Sequence, residues 1–597
     1  MIHSHSFHIP VMGIGYTIDS PLKVSRYGID SVISLADDIL LERLRKMYCG
    51  IYKLPYTEIT EKTIDFRAER ITSYLNLIKE LAEKKFEEFK SASIEKKNEL
   101  KSFIGSLPNG SKIKEEFNAI SSEYFDLNKL KDWVQNNLSM GSIDVNIMTK
   151  LDKENYSKNE KLPIEFNDAH AAMRGYAKSK LSSSIILSAG MNPRLYSYIE
   201  QFEDFYASKS GSIKKKIVLK VSDYRSALIQ GRFLAKKGLW VSEYRIESGL
   251  NCGGHAFATD GFLLGPILAE FRDKKNELID TVFETLVNAL KAKDRSIPST
   301  QLPLKITAQG GIGTSEEHDF LLDHYQLDSV GWGSPFLLVP EATSIDKDTI
   351  DKLAEAKEKD LYLSGISPLG VPFNNLRGNT KDFERDAFIA KDRPGAPCTK
   401  AYLSLNKEFT EKAICPGSRQ YTNLKLKELD ALNLPEEAHK KKYGKIVEKT
   451  CICVGLGTST LLANNLDTKV ENDGVSVCPG PNMAYFSKVT SLKEMTDHIY
   501  GRTNIISRTD RPFFFVKELT IYVDYLKQLI EDSKGGASTK EGKYIQTFIA
   551  NLLSGVDYYE TLFRENVDYF KSSRKLILEN LETTKNELQE LQIGRIN

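Results

Sequence analysis

The feature that most constrains this chain is the recurrence of short apolar β-like runs separated by helix-compatible stretches. Eight such runs fall at 8–15, 30–35, 143–148, 184–188, 216–221, 239–246, 304–308 and 328–333. Between them, 224–238 places Ala227, Leu228, Phe233 and Leu234 at helical spacing, and 261–291 carries a long amphipathic run. Strand, helix, strand is the signature of a parallel α/β unit. Eight parallel strands with crossovers predict a TIM (β/α)8 barrel, fold class α/β. A doubly wound sheet is the alternative, because strand number alone does not establish closure.

The 597 residues exceed one ordinary domain of about 150, although barrels of about 250 residues form single domains. We expect 1–40 and 138–345 to form the barrel and 41–137 to be a helical insertion, rich in Glu and Lys with Tyr74, Leu75, Leu77, Ile78 and Leu81 at helical spacing. Residues 346–490 read as a Cys/Pro/Gly-rich extension over the barrel mouth, with Pro-Gly pairs at 394–395, 416–417 and 479–480. Helical spacing returns over 491–597, as in Ile521, Tyr525, Leu526 and Leu529.

Charge narrows the function. Lys+Arg 82 against Asp+Glu 81 leaves a net charge of +1, which gives no general attraction for nucleic acid or an acidic membrane surface. No apolar run approaches the roughly 18 residues of a membrane span, and the first residues lack a signal-peptide pattern. Seven cysteines, an odd number gathered mostly in the C-terminal half, do not resemble a secreted disulfide framework. The expectation is a soluble cytoplasmic protein.

In a parallel barrel, ligands bind at the C-terminal strand ends, and a phosphate commonly sits after strands seven and eight. The seventh run leads into Gln309-Gly310-Gly311-Ile312-Gly313-Thr314, the eighth into Gly331-Trp332-Gly333-Ser334. Glycine lets backbone N–H groups approach phosphate oxygens, and a serine hydroxyl adds a donor. Tight turns alone would also explain these glycines. The sixth run leads into Ser248-Gly249-Leu250-Asn251-Cys252-Gly253-Gly254-His255, placing at a strand end a histidine able to carry a proton near neutral pH. Its plainer role would be to cap the next helix. Cys252 reads as a small filler.

The Gly253-Gly254-His255 loop, the Gly310-Gly311-Ile312-Gly313 loop, and Gly331-x-Gly333-Ser334-x-Phe336 followed by Pro340-Glu341-Ala342 resemble the nitronate monooxygenase (2-nitropropane dioxygenase-like) family of FMN-dependent TIM barrels. FMN-dependent enoyl-(acyl carrier protein) reductases share the pattern. Val145-Asn146 looks like the family's Val-Asn pair, and 10–15 resembles its flavin-facing opening strand. The resemblance implies that Gly310, Gly311, Gly333 and Ser334 bind the FMN phosphate, with Gly253 and Gly254 close by. It implies that Asn146 contacts the flavin ring, that Met12, Gly13 and Ile14 line it, and that His255 is the catalytic acid or base. Lys220, at the end of the fifth run, either offers charge near the cofactor or is solvated. Asn251-Cys252 departs from the family's acidic-small pair, so the substrate stays open.

The implied reaction is FMN redox chemistry on a carbon substrate, nitronate monooxygenase-like or, alternatively, enoyl reduction in fatty-acid or polyketide synthesis with NAD(P)H as electron donor. The partner would be a small-molecule or acyl-carrier-bound substrate, with a homo-oligomer as a further possibility. A second alternative is a non-catalytic barrel scaffold that binds a partner protein. Cys398, Cys415, Cys451, Cys453 and Cys478 could hold zinc or an iron–sulfur cluster, but without a Cys-x-x-Cys pair they read as buried thiols. His3, His5 and His8 alternate without an accompanying carboxylate, which argues against a metal. His318 and His324 read as solvated surface histidines, and Asn375, Arg377, Arg393 and Arg419 as candidate polar contacts to substrate. Val454 to Ser459 looks like a dinucleotide turn but lacks its third glycine. No Gly-x-Ser-x-Gly, Walker loop or His-Glu-x-x-His motif occurs.

Overall fold

The computed structural model describes residues 4–95, 97–122, 127–251, 260–533, 539–565 and 568–593. Eight parallel strands close into a barrel: β1 (Phe7–Ile9), β2 (Asp30–Ser34), β3 (Ile143–Ile147), β4 (Ser184–Leu187), β5 (Lys216–Val221), β6 (Val241–Glu247), β7 (Lys305–Gln309) and β8 (Ser329–Gly331). Closure is carried by β1, which pairs with β2 at His8↔Asp30 and with β8 at Phe7↔Val330. That double pairing excludes the open doubly wound sheet. β1 is shorter than the run 8–15, because Pro10 cannot donate to the ladder and Gly13 turns the chain at φ 56°.

Strand alternation sorts the two faces of the barrel wall. Ile33, Val145, Leu187, Leu219, Ile246 and Ala308 face outward into the main core beneath the helices. The lumen differs from the branched apolar packing usual in such barrels. Only Val32, Ile186 and Val218, with Val11 against them, form an apolar cluster inside. The other inward positions are largely polar or charged, among them His8, Asp144, Lys220, Glu243, Arg245, Glu247 and Gln309.

Between β2 and β3 the chain forms helices that include α1 (Asp38–Ile51) and α2 (Phe66–Glu95). The far part of this segment has its own apolar cluster, with Phe86, Phe103, Leu107, Trp133 and Val134. β6 is followed by α3 (Leu264–Asp273), and β7 by α4 (Ser315–Asp323), which Thr314 and Glu317 open with a reciprocal capping box. Beyond the barrel, a hairpin of β9 (Leu361–Ser364) and β10 (Phe373–Leu376) precedes α5 (Ile452–Ala463), and the chain ends in α6 (Phe514–Ser533), α7 (Thr539–Glu565) and α8 (Arg574–Ile593).

α5 is buried over most of its length and lies on the strand-end face. A Cβ on Gly13 would touch Leu456, and one on Gly15 would meet Thr460 and the Leu456 carbonyl. The glycine segment 454–459 is therefore a packed helix, with Gly455 against Ser476 and Gly457 beside Asp37, and not a dinucleotide turn. Lys400 ties this layer to the barrel. Its ammonium meets Asp37 at 2.5 Å and Glu471 at 3.4 Å, and all three side chains are within 2% of full burial. Among the described residues no single helix is long and apolar enough to cross a membrane.

Candidate functional site

The two glycine loops do meet. Gly310 and Gly311 leave β7 with φ of 116° and 86°, a region glycine tolerates, and Ser334 begins a short 3-10 turn after β8. Gly310, Gly311, Gly333 and Ser334 line one recess with Pro10, Leu250 and Asn482. Among the described residues, no acceptor meets the backbone N–H groups of Gly311, Gly333 or Ser334. Three N–H donors without acceptors and a hydroxyl at the C-terminal strand ends form an anion cradle.

The chain itself fills this cradle. The Ser334 hydroxyl accepts a hydrogen bond from the Gly480 N–H at 2.9 Å, and the Asn482 amide donates to the Ile312 carbonyl at 2.8 Å. Leu250 packs directly where a Cβ of Gly311 would stand, and Asn251 does the same at Gly310. Next door, the Glu317 carboxylate accepts from the Gly313 N–H at 2.8 Å and is held by Arg511 at 2.7 Å, so these groups neutralise each other. The free volume is about 10 Å³, enough for one water molecule. The donor set fits a phosphoryl group, but the space does not admit one unless Leu250 and Asn251 move.

The residues expected around a flavin ring are packed against protein. Met12 and Ile14 are buried, and Gly13 lies against the Tyr16 ring and Leu456. Asn146 is buried and donates to the Ile186 carbonyl at 3.1 Å. Lys220 is not solvated: it is buried and donates to Glu247 at 2.9 Å. The same Glu247 oxygen accepts from Asn251 at 2.5 Å and Gln309 at 2.8 Å, while the Gln309 carbonyl oxygen is buried without a partner. Glu247 thus centres a polar constellation just inside the strand ends. Its signal in the sequence was the alternation Glu243, Arg245, Glu247 along one strand, which puts all three in the lumen.

His255, Gly253 and Gly254 fall in 252–259, outside the described residues. The segment leaves the recess at Asn251. On its far side the chain passes Glu518 of α6, whose carboxylate accepts from the Leu264 N–H at 2.9 Å. Burial pushes Glu518 up to about 7, so an acid titrating near neutrality sits against Ser248, Gly249 and Leu264. It went unnoticed in the sequence because it lies 263 residues from His255, on a helix whose periodicity reads as core.

The histidines after the glycine loop are corrected, and the remaining candidates find their own partners. His318 is fully buried, between the Ser6 hydroxyl at 2.9 Å and the Trp332 indole N–H at 3.2 Å, and burial lowers it to about 3. His324 is half-buried and stacks on Phe320. His5 is buried against Tyr500, and no grouping suited to a metal occurs among the described residues. Cys415, Cys451, Cys453 and Cys478 are buried thiols and Cys398 is partly so; against a hydrogen bond with Cys398 that lowers it, the Cys453 thiol and burial raise Cys451 to about 12. Asn375 binds Tyr362 and Asp382, Arg377 binds the Lys359 carbonyl, and Arg419 stacks on Phe388. Neither those three nor Arg393 lines the recess.

No family model and no curated protein matches the sequence. Among solved structures, the chain is similar to the enoyl reductase domain of MlnA from the macrolactin biosynthesis cluster of Bacillus amyloliquefaciens, with 15% identity and a TM-score of 0.33 over 70% of this chain and 89% of that one. It is similar to FabK from Thermotoga maritima, with 13% identity and a TM-score of 0.30 over 70% and 85%. It is similar also to nitroalkane oxidase from Streptomyces ansochromogenes, with 9% identity and a TM-score of 0.32 over 83% and 94%. Likeness at this level assigns no activity, and the barrel stands on its own strand pairing.

Proposed function

We propose that the chain is an FMN-dependent oxidoreductase, nitronate monooxygenase-like by its motifs, with enoyl-(acyl carrier protein) reduction as the alternative chemistry. The observation that supports this reading is the cradle: two glycine loops bring N–H groups without acceptors to one recess at the strand ends where barrels hold phosphates. Gly311, Gly333 and Ser334 would hold the phosphate. A flavin supplies electron transfer when bound. His255 would carry the substrate proton, and the Lys220–Glu247 pair sets opposite charges just inside the strand ends. Because the recess has room for one water, binding requires the Leu250–Asn251 segment to withdraw.

The absorbance of purified protein between roughly 350 and 500 nm, before and after adding FMN, tests the reading, because oxidised flavin absorbs there. A yellow protein, or one that retains added FMN through gel filtration, is expected. Bleaching by NADH or NADPH then selects the reductase chemistry, and bleaching by a nitronate alone selects the oxidase chemistry. The filled recess favours one rival, a barrel that serves as a scaffold. A chain that stays colourless with excess FMN overturns our reading in its favour.

A further inference from the structure

The larger cavity of the barrel is at its other end. About 560 Å³ opens at the N-terminal ends of the strands, between the barrel floor and α2, within the size range of small-molecule sites. The apolar layer of Val32, Ile186 and Val218 lies in the lumen between this space and the glycine loops. In most barrels this face serves stability alone. Here its wall is built from ionisable side chains.

Two of the cationic groups of that wall are paired with carboxylates, Lys79 with Glu83 and Arg245 with Glu243. Arg245 donates to Glu243 at 2.8 Å, and the Thr307 hydroxyl donates to the same carboxylate at 2.5 Å. Lys305 also has a partner, and Lys216 is exposed at the rim. Besides the hydroxyls of Ser4 and Ser31, two acceptors in this wall stay open. Asp144 is 7% exposed; its Oδ1 accepts from the Ser142 hydroxyl at 2.6 Å and the Ser184 N–H at 2.8 Å, and its Oδ2 takes no hydrogen bond among the described residues. His8 is 4% exposed; its Nδ1 meets the Ser329 hydroxyl at 3.0 Å, while Nε2 is buried without a partner. That nitrogen lies 2.9 Å from where a Cβ on Gly331 would stand, so the missing side chain makes room for the ring inside the lumen.

A buried group without a partner costs free energy unless something satisfies it. An anion in the lumen would face the Asp144 carboxylate, with the lysine left to receive it, Lys216, at the exposed rim. A cation bearing several N–H donors matches both acceptors, which line the same cavity. Burial, with the Asp30 charge, pushes Asp144 up to about 6, and burial with the Arg245 charge lowers His8 to about 3, so near neutral pH the cavity is lined by a carboxylate and a neutral imidazole. We propose that the floor of the barrel is a second binding site, for a small organic cation with a primary amine, held by the Asp144 carboxylate and the His8 ring. This site is independent of the glycine loops and of any flavin.

Calorimetric titration of the full chain at neutral pH with 1,4-diaminobutane, ethanolamine and two further primary amines, against neutral 1,4-butanediol, tests the assignment. At least one amine should bind while the diol gives no binding heat. Asp144→Asn should weaken that amine by about tenfold or more, as expected for a lost charge-assisted contact. Glu83→Gln, at the open rim, should change it less than about twofold. Absence of binding by every amine, equal binding of the diol, or unchanged affinity in Asp144→Asn would each overturn the proposal. The amine–diol comparison in the unaltered protein stands whatever the variant's fold.

Discussion

Replacing Asp144 by Asn should stabilise the protein above neutral pH and leave it unchanged in acid. The Asp144 carboxyl is raised from 3.8 to about 6 by burial first and by the Asp30 charge second, against hydrogen bonds from Ser142 and Ser184 that favour the ionised form. A group whose folded pKa exceeds its unfolded value contributes stability that is complete below the unfolded value and is lost as pH rises through the folded one. Between about pH 4 and 6 the folded chain binds the extra proton, so the loss with rising pH is roughly 2 pKa units at 1.36 kcal/mol each, about 3 kcal/mol. Asn keeps an acceptor for the Ser142 hydroxyl and the Ser184 N–H but carries no charge, so it avoids this loss. At an unfolding entropy of about 2 cal/mol/K per residue, the whole chain melting together converts 3 kcal/mol into a difference of about 2–3 °C. Melting temperatures of both proteins at half-unit steps from pH 4 to 8, compared as differences, cancel every other titration. The variant should gain on the native protein through this window and hold a constant lead above it. A lead of the same size at pH 4, or a less stable variant at pH 8, would refute the burial argument.

Leu250→Ala should open the recess. Removing the side chain that stands over Gly311 costs about 2–5 kcal/mol of stability yet should tighten FMN about tenfold or more by fluorescence titration, and an unchanged affinity would show that Leu250 does not limit entry. Lys400→Met leaves Asp37 as a buried carboxylate without its cation, while Glu471 keeps Arg43, a change worth about 3–5 kcal/mol. Limited proteolysis should then cut the 346–490 segment faster than in the native protein, and an equal rate would mean that the ion pair does not hold this layer on the barrel.

The barrel was legible because parallel strands bury their outer faces, so each announces itself as an apolar run whatever the lumen contains. Closure was not, since it depends on one pairing between Phe7 and Val330, residues 323 apart. The glycine loops could be placed from strand order and lie together as expected, but the groups that fill them come from Leu250, Gly480 and Asn482. Their approach is set by how the later chain folds back, which no local pattern encodes. His318 misled for a related reason: a histidine in a helix after a glycine turn reads as exposed, and only the indole of Trp332 and the Ser6 hydroxyl make its burial affordable.

The lumen offers the opposite case, a signal present in the sequence and passed over. Ser242-Glu243-Tyr244-Arg245-Ile246-Glu247 alternates charge with apolar side chains, and in an ordinary half-exposed strand the charged face would be solvent. In a closed parallel barrel no strand face is solvent: the apolar positions must meet the helices, so the charged ones are forced inward. Once closure is accepted, the pairings follow from register, Glu247 with Lys220 near one end and Glu243 with Arg245 lower down. A barrel that accepts the desolvation of so many charges gives up packing stability that Val, Ile or Leu would have supplied at the same positions. The retained charges therefore point to selection for recognition inside the lumen, and the open acceptors at its floor are where that reasoning can be tested first.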